Sequence, residues 1–102
     1  MNKQLKPASL IIHGGHQANE HNALVSPLVQ SATFAFETAE QGGARFSGEQ
    51  TGPIYTRLGN PTTAELERKM ALLEGCNDAI AFGSGMGAIA ATLLAHLSKV
   101  TI

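Results

Sequence analysis

A glycine-rich run at residues 83–87, with sequence GSGMG, is the segment whose residue types most directly suggest chemistry. Small residues let backbone N–H groups approach an anion, and the N-terminus of a following helix carries partial positive charge. The run lacks the Lys-Ser/Thr ending of a Walker loop. Ala88 stands where the dinucleotide-binding pattern usually ends in glycine, although alanine is sometimes found there. The run therefore indicates either a phosphate site or a turn that only connects a strand to a helix.

Tyr55 and Arg57 form a second pattern, within a segment at residues 50–59 that has chain-breaking residues at both ends and is predicted to be an exposed loop. Alternate residues of an extended backbone point the same way, so the two side chains could lie together. A guanidinium is a forked, permanently charged donor and a phenol is a directed one, and the pair suits a phosphate dianion. Taken alone, a surface arginine beside a half-buried tyrosine is the simpler interpretation.

Capping residues predict two helices before the glycine-rich run. Residues 38–49 have a weak helical pattern with Thr38 as the N-cap, although two adjacent glycines reduce the helix propensity. A stronger pattern follows Asn60, with Pro61 at the first helical position and Gly75 as the C-terminal stop. The second helix is amphipathic and should lie at the surface.

The glycine-rich run itself lies between a predicted strand and a predicted helix. The apolar run 79–82 is typical of a buried strand, and residues 88–97 continue as a helix. Residues 99–102 would suit a second strand, which requires further strands to pair with. Residues 1–33 show no sustained period, so they predict an arm rather than part of a core.

Composition excludes several kinds of partner. The chain has 102 residues, 43% of them hydrophobic, which permits at most one core. Its 7 basic and 8 acidic residues give a net charge of −1, so nothing favours binding to nucleic acid or to an anionic membrane. The N-terminus lacks the apolar run of a signal peptide, and no stretch approaches the ~20 apolar residues of a membrane span. We expect a soluble, cytoplasmic protein.

Histidine and cysteine provide weaker candidates for a site. His13 and His16 stand in a glycine-broken stretch without a nearby cysteine, so solvated histidines are a better interpretation than a metal site. Cys76 is the single cysteine, which fits a reducing compartment. Nothing in the sequence suggests a paired base for it, so we expect a structural role.

Taken together, five segments of the chain resemble one enzyme family. They are residues 27–34 (PLVQSATF), 55–62 (YTRLGNPT), 65–67 (ELE), 73–75 (LEG) and 84–89 (SGMGAI). Their order and spacing resemble the Cys/Met metabolism enzymes, which use pyridoxal 5'-phosphate (PLP), over nearly all of the chain. Within that family, residues 46–50 (FSGEQ) and the Tyr-Thr-Arg loop are most similar to methionine gamma-lyases. Cystathionine gamma-lyase, cystathionine gamma-synthase and O-acetylhomoserine sulfhydrylase are close alternatives.

The resemblance implies PLP as the cofactor and a role for each motif residue. Ser84, Gly85 and Met86 would hold the cofactor phosphate in their own subunit, partly through backbone N–H groups. Tyr55 and Arg57 would reach the phosphate of the neighbouring subunit. The cofactor site would therefore be shared across the dimer interface of a homo-oligomer, usually a homotetramer.

The resemblance also implies an α/β fold. The chain would form an N-terminal arm and the first helix-strand-helix units of a truncated PLP-dependent transferase large domain (aspartate aminotransferase-like, fold type I). Residues 1–59 would be the arm and intersubunit loop, and residues 60–102 the incomplete start of the PLP-binding domain.

The family's catalytic lysine is expected downstream of this chain, because none of the four lysines matches the family's lysine motif. These are Lys3, Lys6, Lys69 and Lys99. We therefore expect the N-terminal fragment of a PLP-dependent carbon–sulfur lyase acting on sulfur amino acids, which is not catalytic by itself. A fragment of one of the related enzymes, a non-catalytic interaction module that pairs with a full-length subunit, and a gene remnant are the alternatives.

Overall fold

The computed structural model describes residues 5–97, which form four helices in chain order. They are α1 (Pro7–His13), α2 (Ala39–Ser47), α3 (Pro61–Glu74) and α4 (Gly85–Leu97). Within that range the only β pairing is one isolated antiparallel bridge between Thr33 and Tyr55. Long connections therefore separate the helices and carry much of the candidate site.

The ends of α3 agree with the sequence-based prediction. Asn60 has extended backbone and its side chain accepts a hydrogen bond from the N–H of Thr62, so it is the N-cap, with Pro61 next in the chain. Gly75 ends the helix in the left-handed conformation with φ of 66°, and its N–H donates to the carbonyl of Ala71. These local capping groups explain why the sequence was sufficient to place this helix.

The predicted helix after Thr38 is also confirmed. The Thr38 hydroxyl accepts from the N–H of Gln41 at 3.1 Å, and α2 ends at Gly48 with φ of 81°. Gly42 is buried within this helix, where an added Cβ would come within 3.1 Å of the Phe36 ring. The glycines therefore lower the helix propensity but permit close packing against the preceding segment.

Helix α1 was not predicted, because residues 1–33 lack a sustained helical period. Pro7 stands at its first position, and the helix packs against α3. Beyond its end, the backbone carbonyl of Gly15 accepts a hydrogen bond from the Nε of Arg68 at 3.2 Å. Contact with α3 therefore supports this short helix, which its own sequence does not specify.

The predicted strand at residues 79–82 is not formed among the described residues. The segment has no regular secondary structure, and the N–H of Ala81 donates to the side chain of Glu67 at 2.8 Å. A strand needs a neighbour to satisfy its backbone groups, and the described residues supply none at this position. Helix α4 begins at Gly85, three residues before the predicted start. The predicted strand at 99–102 lies outside the described residues.

The chain leaves far more surface exposed than a self-contained domain does. Its accessible surface is 8723 Å², whereas a compact 10.7 kDa monomer exposes about 5,500 Å². Its radius of gyration is 16.9 Å, against about 13 Å for a compact chain of this length. Among the described residues, α4 has no buried member, although it is apolar apart from Thr92 and His96. A helix of this composition normally lies inside a larger protein.

None of the helices within residues 5–97 has the length and apolar character that a bilayer crossing requires.

Glu65 connects the N-terminal segment to α3. Its side chain is 14% exposed and pairs with Lys69 at 3.1 Å. A hydrogen bond from Ser26 holds the pKa of Glu65 below its ordinary value, against partial burial, with smaller contributions from Lys69 and His16. Because the folded pKa lies below the unfolded one, this group stabilises the fold above the unfolded pKa. That stability is lost as pH falls through the folded pKa, in acid below about pH 4.3.

We expect Ser26→Ala to raise the pKa of Glu65 towards its ordinary value, since the largest stabilising contact of the carboxylate is removed. An NMR titration of the side-chain carboxyl carbons measures this pKa directly. Ser47→Ala is the matched control, because the Ser47 hydroxyl bonds to the carbonyl of Ala44 on α2. An unchanged Glu65 midpoint in Ser26→Ala would disprove the contact.

Candidate functional site

The segment that carries Tyr55 is held against an earlier part of the chain by backbone hydrogen bonds. The N–H of Phe34 donates to the carbonyl of Ile54 at 3.2 Å, and the N–H of Thr56 donates to the carbonyl of Ala32 at 2.8 Å. These two bonds flank the Thr33–Tyr55 bridge. The predicted loop is therefore exposed but attached to a fixed support at its centre.

Tyr55 and Arg57 lie side by side at the surface. The guanidinium carbon of Arg57 is 5.2 Å from the centre of the Tyr55 ring, a cation–π geometry. The backbone does not stay extended as expected: the N–H of Leu58 donates to the carbonyl of Tyr55 at 2.8 Å, which closes a turn. Within residues 5–97 neither the Tyr55 hydroxyl nor the Arg57 guanidinium has a hydrogen-bond or ion-pair partner. Both groups can therefore accept an anionic ligand without losing a contact.

Arg45 of α2 holds the part of this loop that precedes Tyr55. Arg45 donates from Nη1 to the carbonyl of Pro53 at 3.1 Å and lies 5.6 Å above the ring of Phe36. Gly52 has a φ of +148°, and a Cβ there would come within 2.7 Å of the Arg45 Nε. Glycine is therefore required for this close approach. The sequence analysis did not identify Arg45, because its partners are a carbonyl and a ring that carry no sequence motif.

Ser84, Gly85 and Met86 form the N-terminal turn of α4. The Ser84 hydroxyl accepts from the N–H of Gly87 at 3.0 Å, and the Ser84 carbonyl accepts from Ala88 at 3.2 Å, so Ser84 caps the helix. In the described part of the chain, the N–H groups of Gly85 and Met86 have no acceptor. Helix N-termini carry partial positive charge, and these donors point outward at an exposed turn.

This turn fits the phosphate of PLP. It offers two unpaired backbone donors and a serine hydroxyl whose proton is free while its oxygen caps the helix. An added Cβ at Gly83 or Gly85 would meet nothing within 4 Å, so the approach to these donors is open. The donor set therefore suits a phosphate dianion.

The two halves of the candidate site are not joined within this chain. No hydrogen bond or ion pair among residues 5–97 connects the Tyr55–Arg57 loop to the first turn of α4. The described residues therefore present two separate sets of donors that an anion could approach.

The histidine and cysteine candidates show no metal-binding or catalytic arrangement among the described residues. Residues 5–97 contain no group of three metal-ligating side chains that could hold an ion. Cys76 is exposed, and its sulfur lies 3.8 Å from the carbonyl of Glu74. His16 lies 3.5 Å from the hydroxyl of Ser26. None of these contacts brings a base to the thiol or a second ligand to a histidine.

Comparison with known proteins identifies the class to which the chain belongs. The family model for Cys/Met metabolism PLP-dependent enzymes matches residues 8–101. The chain therefore belongs to the Cys/Met metabolism family of PLP-dependent enzymes. The expected resemblance is confirmed, and the cofactor of this family is PLP.

Individual relatives make the comparison more specific. The chain is 55% identical over 82 residues to the L-methionine gamma-lyase of Fusobacterium nucleatum subsp. polymorphum, a match that spans 80% of this chain and 21% of that enzyme. It is 42% identical over 84 residues to the O-acetyl-L-homoserine sulfhydrylase of Corynebacterium glutamicum, which covers 81% of this chain and 19% of the relative. The chain thus spans about a fifth of the length of the curated relatives that it matches.

One solved structure has the same fold over most of the chain. It is a Campylobacter jejuni protein described as an O-acetylhomoserine (thiol)-lyase and crystallised with a pyridoxyl-lysine. The TM-score is 0.83 at 32% identity, over 89% of this chain and 22% of that one. The described residues therefore have the fold of one part of a PLP-dependent enzyme.

Proposed function

We propose that this chain is the N-terminal, phosphate-binding part of a PLP-dependent carbon–sulfur lyase of the methionine gamma-lyase type. The complete enzyme would convert L-methionine to methanethiol, 2-oxobutanoate and ammonia. The chain by itself would not catalyse the reaction, because none of its lysines matches the family's lysine motif; Lys69, for example, lies on α3 and is paired with Glu65 at 3.1 Å.

The observation that carries this proposal is the presence of two donor sets without protein partners among the described residues. Arg57 and Tyr55 are exposed without a partner among the described residues, and so are the N–H groups at the start of α4. Exposed donors of this kind would suit binding of the PLP phosphate in a member of this family, and this supports the proposal.

Each donor set has a separate task in the proposed site. The first turn of α4 would bind the phosphate through the N–H groups of Gly85 and Met86 and the hydroxyl of Ser84. Tyr55 and Arg57 of the neighbouring subunit would bind other oxygens of the same phosphate. Held in this way, PLP supplies an electron sink that stabilises carbanions of the amino acid and permits loss of its gamma substituent.

The proposed assembly follows from the division of the site. A shared phosphate site requires at least a dimer, and we propose a homotetramer of two such dimers with an α/β large domain. Residues 1–59 would then be the arm and intersubunit loop, and residues 60–102 would begin the PLP-binding domain. The exposed, unpaired Cys76 supports a reducing, cytoplasmic location.

Methionine is proposed as the substrate on the basis of sequence identity. The chain is 55% identical to a methionine gamma-lyase and 42% identical to an O-acetylhomoserine sulfhydrylase over segments of similar length. An O-acetylhomoserine sulfhydrylase is the second candidate, because the solved structure with the same fold is described as a thiol-lyase of O-acetylhomoserine.

A chimera provides the test. In it, residues 8–97 of this chain replace the matching segment of the F. nucleatum methionine gamma-lyase, which supplies the lysine and the rest of the fold. We expect the chimera to bind PLP and to release 2-oxobutanoate from methionine, whereas the purified 102-residue chain gives no turnover. A folded chimera that does not bind PLP would contradict the proposal.

Ser84 allows a phosphate-specific variant within that chimera. Aspartate caps a helix as well as serine does, but its charge would repel the phosphate, so Ser84→Asp should weaken PLP binding by about 2 kcal/mol or more. Ser84→Asn is the matched neutral cap and should have a much smaller effect. Affinity is measured by titrating the apoenzyme with PLP and with pyridoxal, which lacks the phosphate. Equal affinity of the two variants for PLP would contradict the assignment.

A further inference from the structure

Asn60 has more hydrogen bonds than its role as a helix cap requires. Only 6% of its surface is exposed. Its Oδ1 accepts from the N–H of Thr62 at 2.9 Å, which is the capping bond. Its Nδ2 donates to the carbonyl of Val29 and to the hydroxyl oxygen of Thr56, both at 3.0 Å. The amide nitrogen therefore has a second role, separate from the cap.

Thr56 is the residue through which this second role reaches the site. Its hydroxyl donates to the carbonyl of Ser31 at 2.5 Å while it accepts from Asn60, and its N–H donates to the carbonyl of Ala32 at 2.8 Å. The hydroxyl and the N–H of Thr56 are thus both fixed to neighbouring segments. Because Thr56 lies between Tyr55 and Arg57 in the chain, it determines the direction of the backbone that carries both.

The segment around Val29 is also bonded to the first turn of α3. The hydroxyl of Thr62 accepts from the N–H of Val29 at 2.9 Å, so the segment that receives the Asn60 amide is itself attached to the first turn of the helix. Five hydrogen bonds therefore connect the start of α3, residues 29–32 and the loop with Tyr55. Asn60 is buried and its bonds to Val29 and Thr56 are partly buried. A polar network whose members are satisfied favours a single geometry.

We propose that Asn60 and Thr56 are positioning residues for the Tyr55–Arg57 phosphate clamp: the Asn60 amide holds Thr56, and Thr56 fixes the two side chains that bind the phosphate. This inference rests on the proposed function. Neither residue touches the cofactor. Their contribution is to fix the clamp before binding, which reduces the ordering that a bound phosphate must impose on an otherwise exposed turn.

The choice of asparagine supports a role beyond capping. Serine, threonine and aspartate cap helices about as well, and each of them lacks a nitrogen donor. The Asn60 amide donates to the carbonyl of Val29, which is 31 residues away in sequence. This bond is therefore a tertiary contact and not part of the local helix start. Asn60→Ser thus separates the two roles: it keeps the cap and removes the amide.

The experiment uses the full-length chimera and two neutral variants. Asn60→Ser removes the amide donor, and Thr56→Val removes the hydroxyl at the centre of the network without touching the cap. Thr56→Ser, which keeps the hydroxyl, is the matched control. For each protein, the affinities of the apoenzyme for PLP and for pyridoxal are measured, together with its melting temperature and with kcat at saturating PLP.

We expect Asn60→Ser and Thr56→Val to weaken PLP binding about tenfold each, with pyridoxal binding changed by less than about twofold. The kcat at saturating PLP should stay near that of the parent chimera, and Thr56→Ser should behave like the parent. The double variant should lose little more than either single variant, because both changes break the same connection.

Three results would overturn the inference. The first is an unchanged PLP affinity in both Asn60→Ser and Thr56→Val. The second is an equal loss of affinity for PLP and for pyridoxal. The third is failure of both variants to fold, which would show that the network has only a structural role. The proposed function fails separately, if Arg57→Ala leaves the difference between PLP and pyridoxal affinity intact. The two conclusions therefore stand or fall on different proteins.

Discussion

Arg57→Ala in the chimera is expected to raise the Kd for PLP about 30- to 150-fold, which corresponds to about 2–3 kcal/mol for a charge-assisted contact to a phosphate. The guanidinium is exposed, lies 5.2 Å from the centre of the Tyr55 ring and has no protein partner among the described residues. Its removal therefore breaks no internal contact apart from that with the ring, and the loss should appear in PLP binding and not in pyridoxal binding.

Two control variants define the meaning of this result. Arg57→Lys keeps the charge but not the forked geometry, so it should lose part of the affinity. Arg68→Ala removes an arginine whose Nε bonds to the carbonyl of Gly15 in the support of α1, and it should leave the ratio of PLP to pyridoxal affinity unchanged. If Arg57→Ala and Arg68→Ala affect this ratio equally, Arg57 has no specific role at the phosphate.

The same variant tests whether the site is shared between subunits. Arg57→Ala and Ser84→Asp chimeras are each expected to bind PLP poorly. When they are unfolded and refolded together, a mixed dimer contains one site with both native groups if Arg57 and Ser84 act across the interface. Random pairing then restores about a quarter of the sites. A mixture with no recovery of tight PLP binding would place both groups in one subunit.

The ends of the helices could be predicted because their causes are local. Thr38 and Asn60 accept from N–H groups three and two residues away, and Gly75 adopts the left-handed conformation just after α3. Local reasoning does not decide the structure of residues 79–82, since an apolar run becomes a strand only when another strand pairs with it, and the described residues supply none there. It failed for α1 as well, where contact with α3 decides the outcome.

The candidate site was predictable in its residue types but not in its geometry. Tyr55 and Arg57 do lie together, although a turn and not extended alternation brings them into contact. The supporting role of Asn60 could not be predicted, because its amide bonds to a carbonyl 31 residues away. Motifs identify groups that can bind a ligand, whereas the residues that position these groups depend on tertiary contacts that leave no local pattern.

Helix α4 leads to a prediction whose sign depends on its surroundings. Leu93 is 51% exposed in this chain, and the mostly apolar α4 has no buried residue among those described. In the 102-residue chain, Leu93→Asn should therefore increase the soluble, monomeric fraction, because it interrupts an exposed apolar surface. Size-exclusion chromatography of the purified chain measures that fraction.

In the chimera the same substitution should be strongly destabilising. If the rest of the enzyme covers α4, the asparagine amide is buried without a partner and the apolar contacts of Leu93 are lost, at a cost of about 3–5 kcal/mol. A fall in melting temperature measures this cost. Leu93→Met keeps the apolar volume and should have a small effect in both proteins. The chain exposes about 3,000 Å² more than a compact monomer of its mass, and α4 is expected to account for part of this excess. If Leu93→Asn does not lower the melting temperature of the chimera, α4 is not buried in the larger enzyme. The excess surface would then have to be covered elsewhere, starting with the exposed Ile80 and Phe82 beside the glycine-rich turn.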